Sequence, residues 1–174
     1  MRHILVMNSK GGCGKSTIAT NLAAYCADEG YTTALADFDP QQTSLDWLSL
    51  RPDDRPHITG IRGFEEGLKH VPRNADYLII DAPARSHGKE IDSLVKRAET
   101  IIIPVLPSPI DMAATTRFAN ELRAAKKIQK KQAKIGLVAN RVRENTKIYG
   151  ELSDYLDHLK NMKPIAVLRE AQNY

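Results

Sequence analysis

The sequence has little of what secreted and membrane proteins need. It contains two cysteines in 174 residues, too few for a disulfide framework, which indicates the reducing cytoplasm. Its longest apolar stretches, residues 77–80 and 101–106, are far shorter than the ~20 residues that cross a bilayer. Residues 1–9 also lack the layout of a signal peptide. We therefore expect a cytoplasmic protein with no membrane partner.

The chain also lacks a strong excess of either charge. Its 25 Lys and Arg against 21 Asp and Glu leave a formal net charge of +4, which excludes a histone-like polycation. With 42% hydrophobic residues, a chain of this length can bury roughly 70% of its unfolded surface. Residues 1–174 show no internal repeat and no low-complexity segment, so we expect a single domain.

Apolar runs of strand length alternate with amphipathic segments along the chain. The runs cover residues 4–7, 33–36, 77–80, 101–106, 135–138 and 164–168, and a short strand is expected near Ile58. Continuous apolar runs are typical of parallel strands that are covered on both faces. The alternation predicts an α/β fold with a doubly wound, mostly parallel sheet flanked by helices.

Three helical patterns fill the gaps between these runs. The first begins at Lys15 and stops at Gly30, with an apolar face formed by Ile18, Leu22, Tyr25 and Cys26. The second has Asp111 as its expected N-cap, and its apolar face continues through Phe118, Leu122, Ala125 and Ile128. The third covers residues 148–159.

A glycine-rich loop follows the first predicted strand. Residues 9–17 read Ser-Lys-Gly-Gly-Cys-Gly-Lys-Ser-Thr and lead into a helix. Glycines let consecutive backbone N–H groups curl around an anion, and the helix directs its positive end toward the same place. The loop therefore predicts a phosphate site. Lys10 and Lys15 lie on either side of it, so it has two cations where an ordinary phosphate loop supplies one.

Carboxylates end two of the predicted strands. Asp37 and Asp39 follow the second apolar run, and Asp81 follows the run at residues 77–80. Side chains at these ends point into the crevice where open α/β sheets bind ligands, so they can orient water or support a metal ion. Asp37 and Asp39 are also suited to cap a helix without any chemistry, and Asp81 alone is a weak signal.

The positive charge is concentrated in one segment. Residues 117–143 contain nine basic residues and one acidic residue. Arg123, Lys127, Lys130 and Lys134 recur at helical spacing, which predicts one basic stripe on a helix. Such a stripe is either a solvated face or a surface that binds nucleic-acid phosphates.

The motifs resemble those of the deviant Walker A ATPases of the ParA and MinD group. In that family the loop reads Lys-Gly-Gly-any-Gly-Lys followed by two hydroxyl residues, and residues 10–17 match every defined position. The second acidic motif reads Asp-any-Asp-Pro-Gln, which residues 37–41 match completely. The similarity covers essentially the whole chain and is greatest to small ParA proteins without an N-terminal DNA-binding domain.

The resemblance implies that ATP and Mg²⁺ are the cofactors. Lys15 would hold the β and γ phosphates, Ser16 would ligate Mg²⁺ and Thr17 would touch the α phosphate. Lys10 resembles the signature lysine that reaches across a dimer to the partner's nucleotide, which implies an ATP-dependent homodimer. The nucleotide-binding residues also include the rest of the loop, namely Gly11, Gly12, Cys13 and Gly14.

The acidic residues acquire roles from the same resemblance. Asp39 would position the attacking water and act in catalysis together with Lys10 and Lys15. Asp37 and Asp81 would support Mg²⁺, although Asp37 is equally suited to fix the loop.

Later segments also resemble the family. Pro107 lies in a stretch, residues 105–111, that is similar to one in small partition ATPases, and the resemblance implies that it belongs to the nucleotide-binding residues. Asn140 and Arg141 are expected directly after a strand, where the family contacts adenine. The chain ends at Tyr174, where the family's last helix would begin, so that helix is expected to be missing.

The resemblance implies a switch that positions a cargo. The ATP-bound dimer would bind nonspecific DNA through the basic stripe, associate with the nucleoid, and position a plasmid, a chromosome or a carboxysome. A ParB-like or McdB-like adaptor protein would stimulate a weak basal ATPase activity. The alternatives are a regulatory accessory ATPase and a metabolic enzyme similar to dethiobiotin synthetase.

Overall fold

The chain folds around a parallel sheet. The computed structural model describes residues 1–84, 88–125, 128, 130, 132–159 and 162–171, which form a sheet of seven strands. The strands are β1 (Arg2–Val6), β2 (Thr33–Asp37), β3 (Ile58–Arg62), β4 (Tyr77–Asp81), β5 (Thr100–Val105), β6 (Lys134–Val142) and β7 (Lys163–Arg169). Their order across the sheet is β3-β2-β4-β1-β5-β6-β7, and every pairing is parallel.

Helices cover the two faces of this sheet. They are α1 (Lys15–Asp28), α2 (Thr43–Ser49), α3 (Gly63–Glu66), α4 (Lys89–Val95), α5 (Pro109–Ala124) and α6 (Lys147–His158). Successive strand residues point to opposite faces: Leu5 packs in the cluster that includes α4, α5 and α6, whereas Val6 packs with α1. This is the predicted doubly wound α/β fold. None of the helices in the described ranges has the length and hydropathy of a transmembrane segment.

The winding brings the predicted site residues to one edge. On one side of central β1 lie β4, β2 and β3, and on the other side lie β5, β6 and β7. All strands point the same way, so the loop after β1 and the carboxylates that end β2 and β4 meet at the carboxyl edge of the sheet. Open α/β sheets form their ligand crevice at the carboxyl ends of the strands, at the point where the strand order reverses direction.

The first helix ends as predicted but buries a different face. Gly30 follows α1 with a φ of 86°, a left-handed conformation that favours glycine. The buried stripe includes Ala19, Ala23 and Cys26, whose small side chains let the helix lie close to the sheet. Tyr25, which was expected on this face, lies at its margin and is 63% exposed.

The predictions for the second long helix are wrong at both ends. Its N-cap is Ser108 rather than Asp111, and the Ser108 hydroxyl accepts a hydrogen bond from the Asp111 N–H. Pro109 occupies the first turn, where a missing N–H costs nothing. The helix stops at Ala124 because Ala125 is extended, with a ψ of 130°. Ala125 and Ile128 still pack against the core, but not as a continuation of α5.

Candidate functional site

The loop between β1 and α1 curls back on its own backbone. Gly12 and Gly14 have φ angles of 76° and 94°, which other residues rarely adopt. The Lys15 ammonium donates to the Lys10 carbonyl at 3.2 Å, and the Cys13 thiol donates to the same oxygen at 3.2 Å. Lys15 is only 7% exposed, so its charge is held inside the curve at the start of α1. A cation and a helix N-terminus therefore face the same space, as a phosphate site requires.

The loop also places its other candidate residues. Gly11 and Gly12 are exposed, whereas Cys13 is buried. Burial raises the pKa of the Cys13 thiol, and the charge of Lys15 opposes that shift, so the thiol stays protonated and packs. Ser16 and Thr17 occupy the first turn of α1 and are half-buried.

Asn8 supports the loop from behind, and sequence analysis missed it. Its side chain is buried, and Nδ2 donates to the Pro104 carbonyl at 2.8 Å and to the Thr115 hydroxyl at 3.1 Å. Its Oδ1 accepts from the Lys10 N–H at 3.3 Å. The signal for this role was a polar residue placed between an apolar strand and the loop. Asn8 therefore ties the loop to β5 and α5 and fixes the backbone at Lys10.

The adenine candidates lie around the end of β6. Asn140 and Arg141 were predicted to follow the strand, and this prediction is wrong. Both residues lie inside β6, at an irregularity in its pairing with β7. The Asn140 amide donates to the Cys13 carbonyl at 2.9 Å, which joins this strand end to the loop. Arg141 is exposed with a φ of 51°, and Pro107 lies half-buried between β5 and α5. Asn140 and Thr17 also line an apolar cavity of about 290 Å³.

The two strand-end carboxylates are direct neighbours. Asp37 on β2 is in register with Asp81 on β4, and both side chains are fully buried. Asp37 accepts from the Asp39 N–H at 2.9 Å through Oδ1 and from the Ser44 N–H at 2.9 Å through Oδ2. Its oxygens therefore fix the turn after β2 and the first turn of α2. Burial raises the pKa of Asp37, while these backbone hydrogen bonds oppose the rise.

Asp81 is less fully satisfied than Asp37. Its Oδ2 accepts from the Ser44 hydroxyl at 2.6 Å, but its buried Oδ1 accepts no hydrogen bond from the described residues. Burial raises the pKa of Asp81 to about 6, opposed by the Ser16 and Ser44 hydroxyls and the charge of Lys15 and assisted by the charge of Asp37. Asp81 therefore lies near Ser16 and Lys15 and has one oxygen without a hydrogen-bond donor among the described residues.

Asp39 lies in the turn between β2 and α2. Its Oδ1 accepts from the Gln41 N–H at 3.0 Å, and the residue is half-buried. The turn thus holds Asp39 at the edge of the site, with its backbone anchored on Asp37.

Two of the three residues predicted to bind Mg²⁺, Ser16 and Asp81, have oxygens suited to that ion. Mg²⁺ prefers oxygen ligands and is commonly bound by one or two carboxylates or hydroxyls together with phosphate oxygens and water. The unused oxygen of Asp81 and the nearby hydroxyl of Ser16 match that preference. Both oxygens of Asp37 already accept hydrogen bonds from backbone N–H groups, which favours a role in fixing the turn after β2 over direct binding of Mg²⁺. Within the described ranges, no group of three or more His, Cys, Asp or Glu could form an all-protein cage.

The basic stripe does not exist as one helical face. Arg123 is in α5, is half-buried and donates to Asn120 at 2.9 Å, whereas Lys130 is exposed in a turn. Lys134 is the exposed first residue of β6, because the chain there has already entered the sheet beside Thr100. Lys127 lies outside the described residues. Lys134 is thus at the amino edge of the sheet, opposite the phosphate loop.

Sequence comparisons identify relatives of the chain. A family model described as the CobQ/CobB/MinD/ParA nucleotide binding domain matches residues 4–173. The Maintenance of carboxysome distribution protein A of Halothiobacillus neapolitanus is 34% identical over 142 residues, which are 79% of this chain and 65% of that protein. The chromosome-partitioning ATPase Soj of Thermus thermophilus is 45% identical over 137 residues, which are 60% of this chain and 55% of that protein.

A solved structure has the same fold. Apo McdA of Cyanothece superposes with a TM-score of 0.76 at 15% identity, covering 99% of this chain and 87% of that one. The shared architecture is the P-loop NTPase fold. The chain spans between about half and two thirds of the length of the curated relatives it matches. Because the family model covers nearly all of the sequence, the chain belongs to the CobQ/CobB/MinD/ParA nucleotide-binding domain family.

Proposed function

We propose that the protein is an ATP-driven, dimerising switch with weak basal ATPase activity that positions or segregates a cellular cargo. The observation that supports this proposal best is the arrangement of Lys10 and Lys15 around a curled phosphate loop, with Asp39 and Asp81 at the same sheet edge. An ordinary phosphate loop has one such lysine, and a second cation is useful where a second nucleotide comes close.

The site would accelerate ATP hydrolysis mainly by electrostatic stabilisation of the charge on the phosphates. The loop N–H groups and Lys15 bind the β and γ phosphates, and Thr17 contacts the α phosphate. Ser16 and Asp81 would hold Mg²⁺, and Asp37 would support this site by fixing the turn after β2 and the first turn of α2. When bound, Mg²⁺ neutralises charge on the phosphate oxygens. Asp39 orients the water that attacks the γ phosphate, giving ADP and phosphate.

Lys10 links nucleotide binding to dimerisation. It is half-buried, and its ammonium makes no ion pair with any residue that the structure describes. Its backbone is fixed by Asn8, so the side chain starts from a defined position. We assign it to the nucleotide of a second copy, which makes the homodimer depend on ATP.

The ATP-bound dimer binds nonspecific DNA and thereby associates with the nucleoid. This part of the proposal is supported by the excess of eight positive charges in residues 117–143, not by a helical stripe. Lys130 and Lys134 are exposed and are the described contributors, with Arg123 and Lys127 as further candidates. A ParB-like or McdB-like adaptor stimulates hydrolysis and release, and the cargo is a plasmid, a chromosome or a carboxysome. Relatives named for carboxysome distribution and chromosome partitioning support this range of cargo.

Retention on random-sequence duplex DNA tests the proposal. With Mg²⁺ present, we expect strong retention in ATP and weak retention in ADP or without nucleotide. Four cations of the dimer on phosphates give a slope of about −4 in log affinity against log salt, and Lys134→Ala, which removes one cation from each subunit, should reduce it by about 2. Lys15→Ala should lose retention because it cannot bind nucleotide, whereas Lys69→Ala, an exposed lysine after α3, should match the wild type. Retention that is equal in all nucleotide states would contradict the switch and favour a regulatory or metabolic ATPase.

A further inference from the structure

Asp37 and Asp81 form an unfavourable pair that the fold must stabilise. The two residues are register partners on adjacent strands, and neither side chain is exposed. Burial raises the pKa of Asp81, and the negative charge of Asp37 beside it raises that pKa further. Buried charges of like sign are tolerated only when hydrogen-bond donors compensate for the lost water.

Ser44 supplies a donor to each member of this pair. Its backbone N–H donates to Asp37 Oδ2 at 2.9 Å, and its hydroxyl donates to Asp81 Oδ2 at 2.6 Å. Ser44 is itself fully buried, so water does not replace either bond. With Oδ2 of Asp81 held in this way, the rotation of the carboxylate is fixed, and its unused Oδ1 is the oxygen left for a ligand.

The same serine also connects the two acidic motifs mechanically. Ser44 lies in the first turn of α2, directly after the turn that carries Asp39. That turn is anchored through the Asp39 N–H on Asp37, the second partner of Ser44. The Asp81 carboxylate and the Asp39 turn are thus held by one hydrogen-bonded unit.

We propose that Ser44 is a positioning residue for the divalent-cation site, acting by holding Oδ2 of the Asp81 carboxylate so that Oδ1 is left to bind the cation. The proposal deepens the proposed function, because it assumes that Asp81 and Ser16 hold the cation. Outer partners of this kind orient metal ligands, and losing one commonly costs 10- to 100-fold in metal affinity.

Binding of Mn²⁺ in place of Mg²⁺ tests this role without relying on activity. Free Mn²⁺ is measured by electron paramagnetic resonance in titrations of the full chain saturated with ADP. Ser44→Ala should weaken Mn²⁺ binding about 10- to 100-fold, while ADP binding in the presence of a chelator stays unchanged. Ser49→Ala is the matched control, because Ser49 lies on the same helix and its hydroxyl donates only to the Asp46 carbonyl at 2.7 Å.

A second pair of variants separates the hydroxyl from packing. Ser44→Thr and Ser44→Val add the same bulk to a fully buried position, but only threonine keeps the donor. The threonine variant should bind Mn²⁺ at least about 10-fold more tightly than the valine variant. Equal affinity within this pair, or between Ser44→Ala and the wild type, would overturn the role of Ser44. A wild-type chain that binds neither ADP nor Mn²⁺ would overturn the proposed function first.

Discussion

Lys15 and Asp81 bring opposite charges into one buried region and are stabilised differently. The ammonium of Lys15 donates to a loop carbonyl, so part of its lost hydration is replaced inside the protein. Asp81 has one hydrogen-bonded oxygen and one without a partner in the described part of the chain. A buried carboxylate in that condition binds a proton more readily than an exposed one, which is why its pKa rises to about 6.

This residue predicts a pH dependence of stability in the metal-free protein. The folded pKa of Asp81 lies above its unfolded value near 3.8, so the folded state binds the extra proton between these values. The free energy of unfolding therefore falls as the pH rises from about 4 to about 6, and the loss stays in place at higher pH. Asp81→Asn removes the titrating group, so its stability relative to the wild type should rise by about 2 kcal/mol between pH ~4.5 and ~7.5. Urea unfolding of both proteins with a chelator present measures this difference, and parallel pH profiles would contradict it.

At the scale of elements, the site depends on how the loop, α1 and β6 meet. Gly14 is the N-cap of α1 with a φ of 94°, and a Cβ built there would lie 2.3 Å from Asn140 Nδ2. Asn140 comes this close because its amide binds the Cys13 carbonyl. The N-cap of α1 therefore requires glycine for two reasons: its left-handed φ, and the lack of space for a Cβ beside Asn140.

Two glycine variants distinguish this junction from an ordinary helix position. Gly14→Ala combines left-handed strain with the contact to Asn140, so it should destabilise the fold by about 1–3 kcal/mol and weaken ADP binding. Gly150→Ala is the matched control in α6, where nothing lies within 4 Å of the new methyl group. That variant should be more stable by about 0.5–1 kcal/mol because alanine loses less entropy in a helix. Urea unfolding measures both, and a Gly14→Ala protein as stable as the wild type would show that the junction is unstrained.

At the scale of the whole molecule, the candidate nucleotide site and Lys134 lie at opposite edges of the sheet. The phosphate loop and the acids meet at the carboxyl edge, whereas Lys134 begins β6 at the amino edge. Parallel strands enforce this separation, since all of them run in the same direction. In the proposed function, the nucleotide and the DNA phosphates would therefore contact different cations.

Lys10 provides the prediction at this scale. Lys10→Ala should retain much of the nucleotide binding, because Lys15 and the loop backbone remain, but should stay monomeric in ATP. Sedimentation velocity with ATP, ADP and no nucleotide measures the oligomeric state. Lys69→Ala, which removes the same charge from an exposed site, should dimerise like the wild type. An ATP-dependent dimer of the Lys10→Ala protein would contradict the assignment of Lys10 to a second nucleotide.

The sequence by itself determined the local features of this protein. The order of the strands, including the one near Ile58, the three longest helices and the loop after β1 follow from apolar periods and glycines, which act on near neighbours. The family follows from motifs of a few adjacent residues, which the family model confirms. A local pattern also predicts that α1 stops before Gly30, because a left-handed glycine ends a helix through its own backbone angle.

The tertiary structure decided what depends on contacts between distant residues. The basic residues that lead up to Lys134 recur at helical spacing in the sequence. Pairing with β5 nevertheless places Lys134 in a strand. Tyr25 is exposed because the face of α1 that is buried in the folded chain runs through Ala19, Ala23 and Cys26 instead. The role of Ser44 requires Asp37 and Asp81 to be register partners, and that pairing exists only after β2 and β4 associate. Burial and register sum over residues far apart in the chain, so no local pattern contains them.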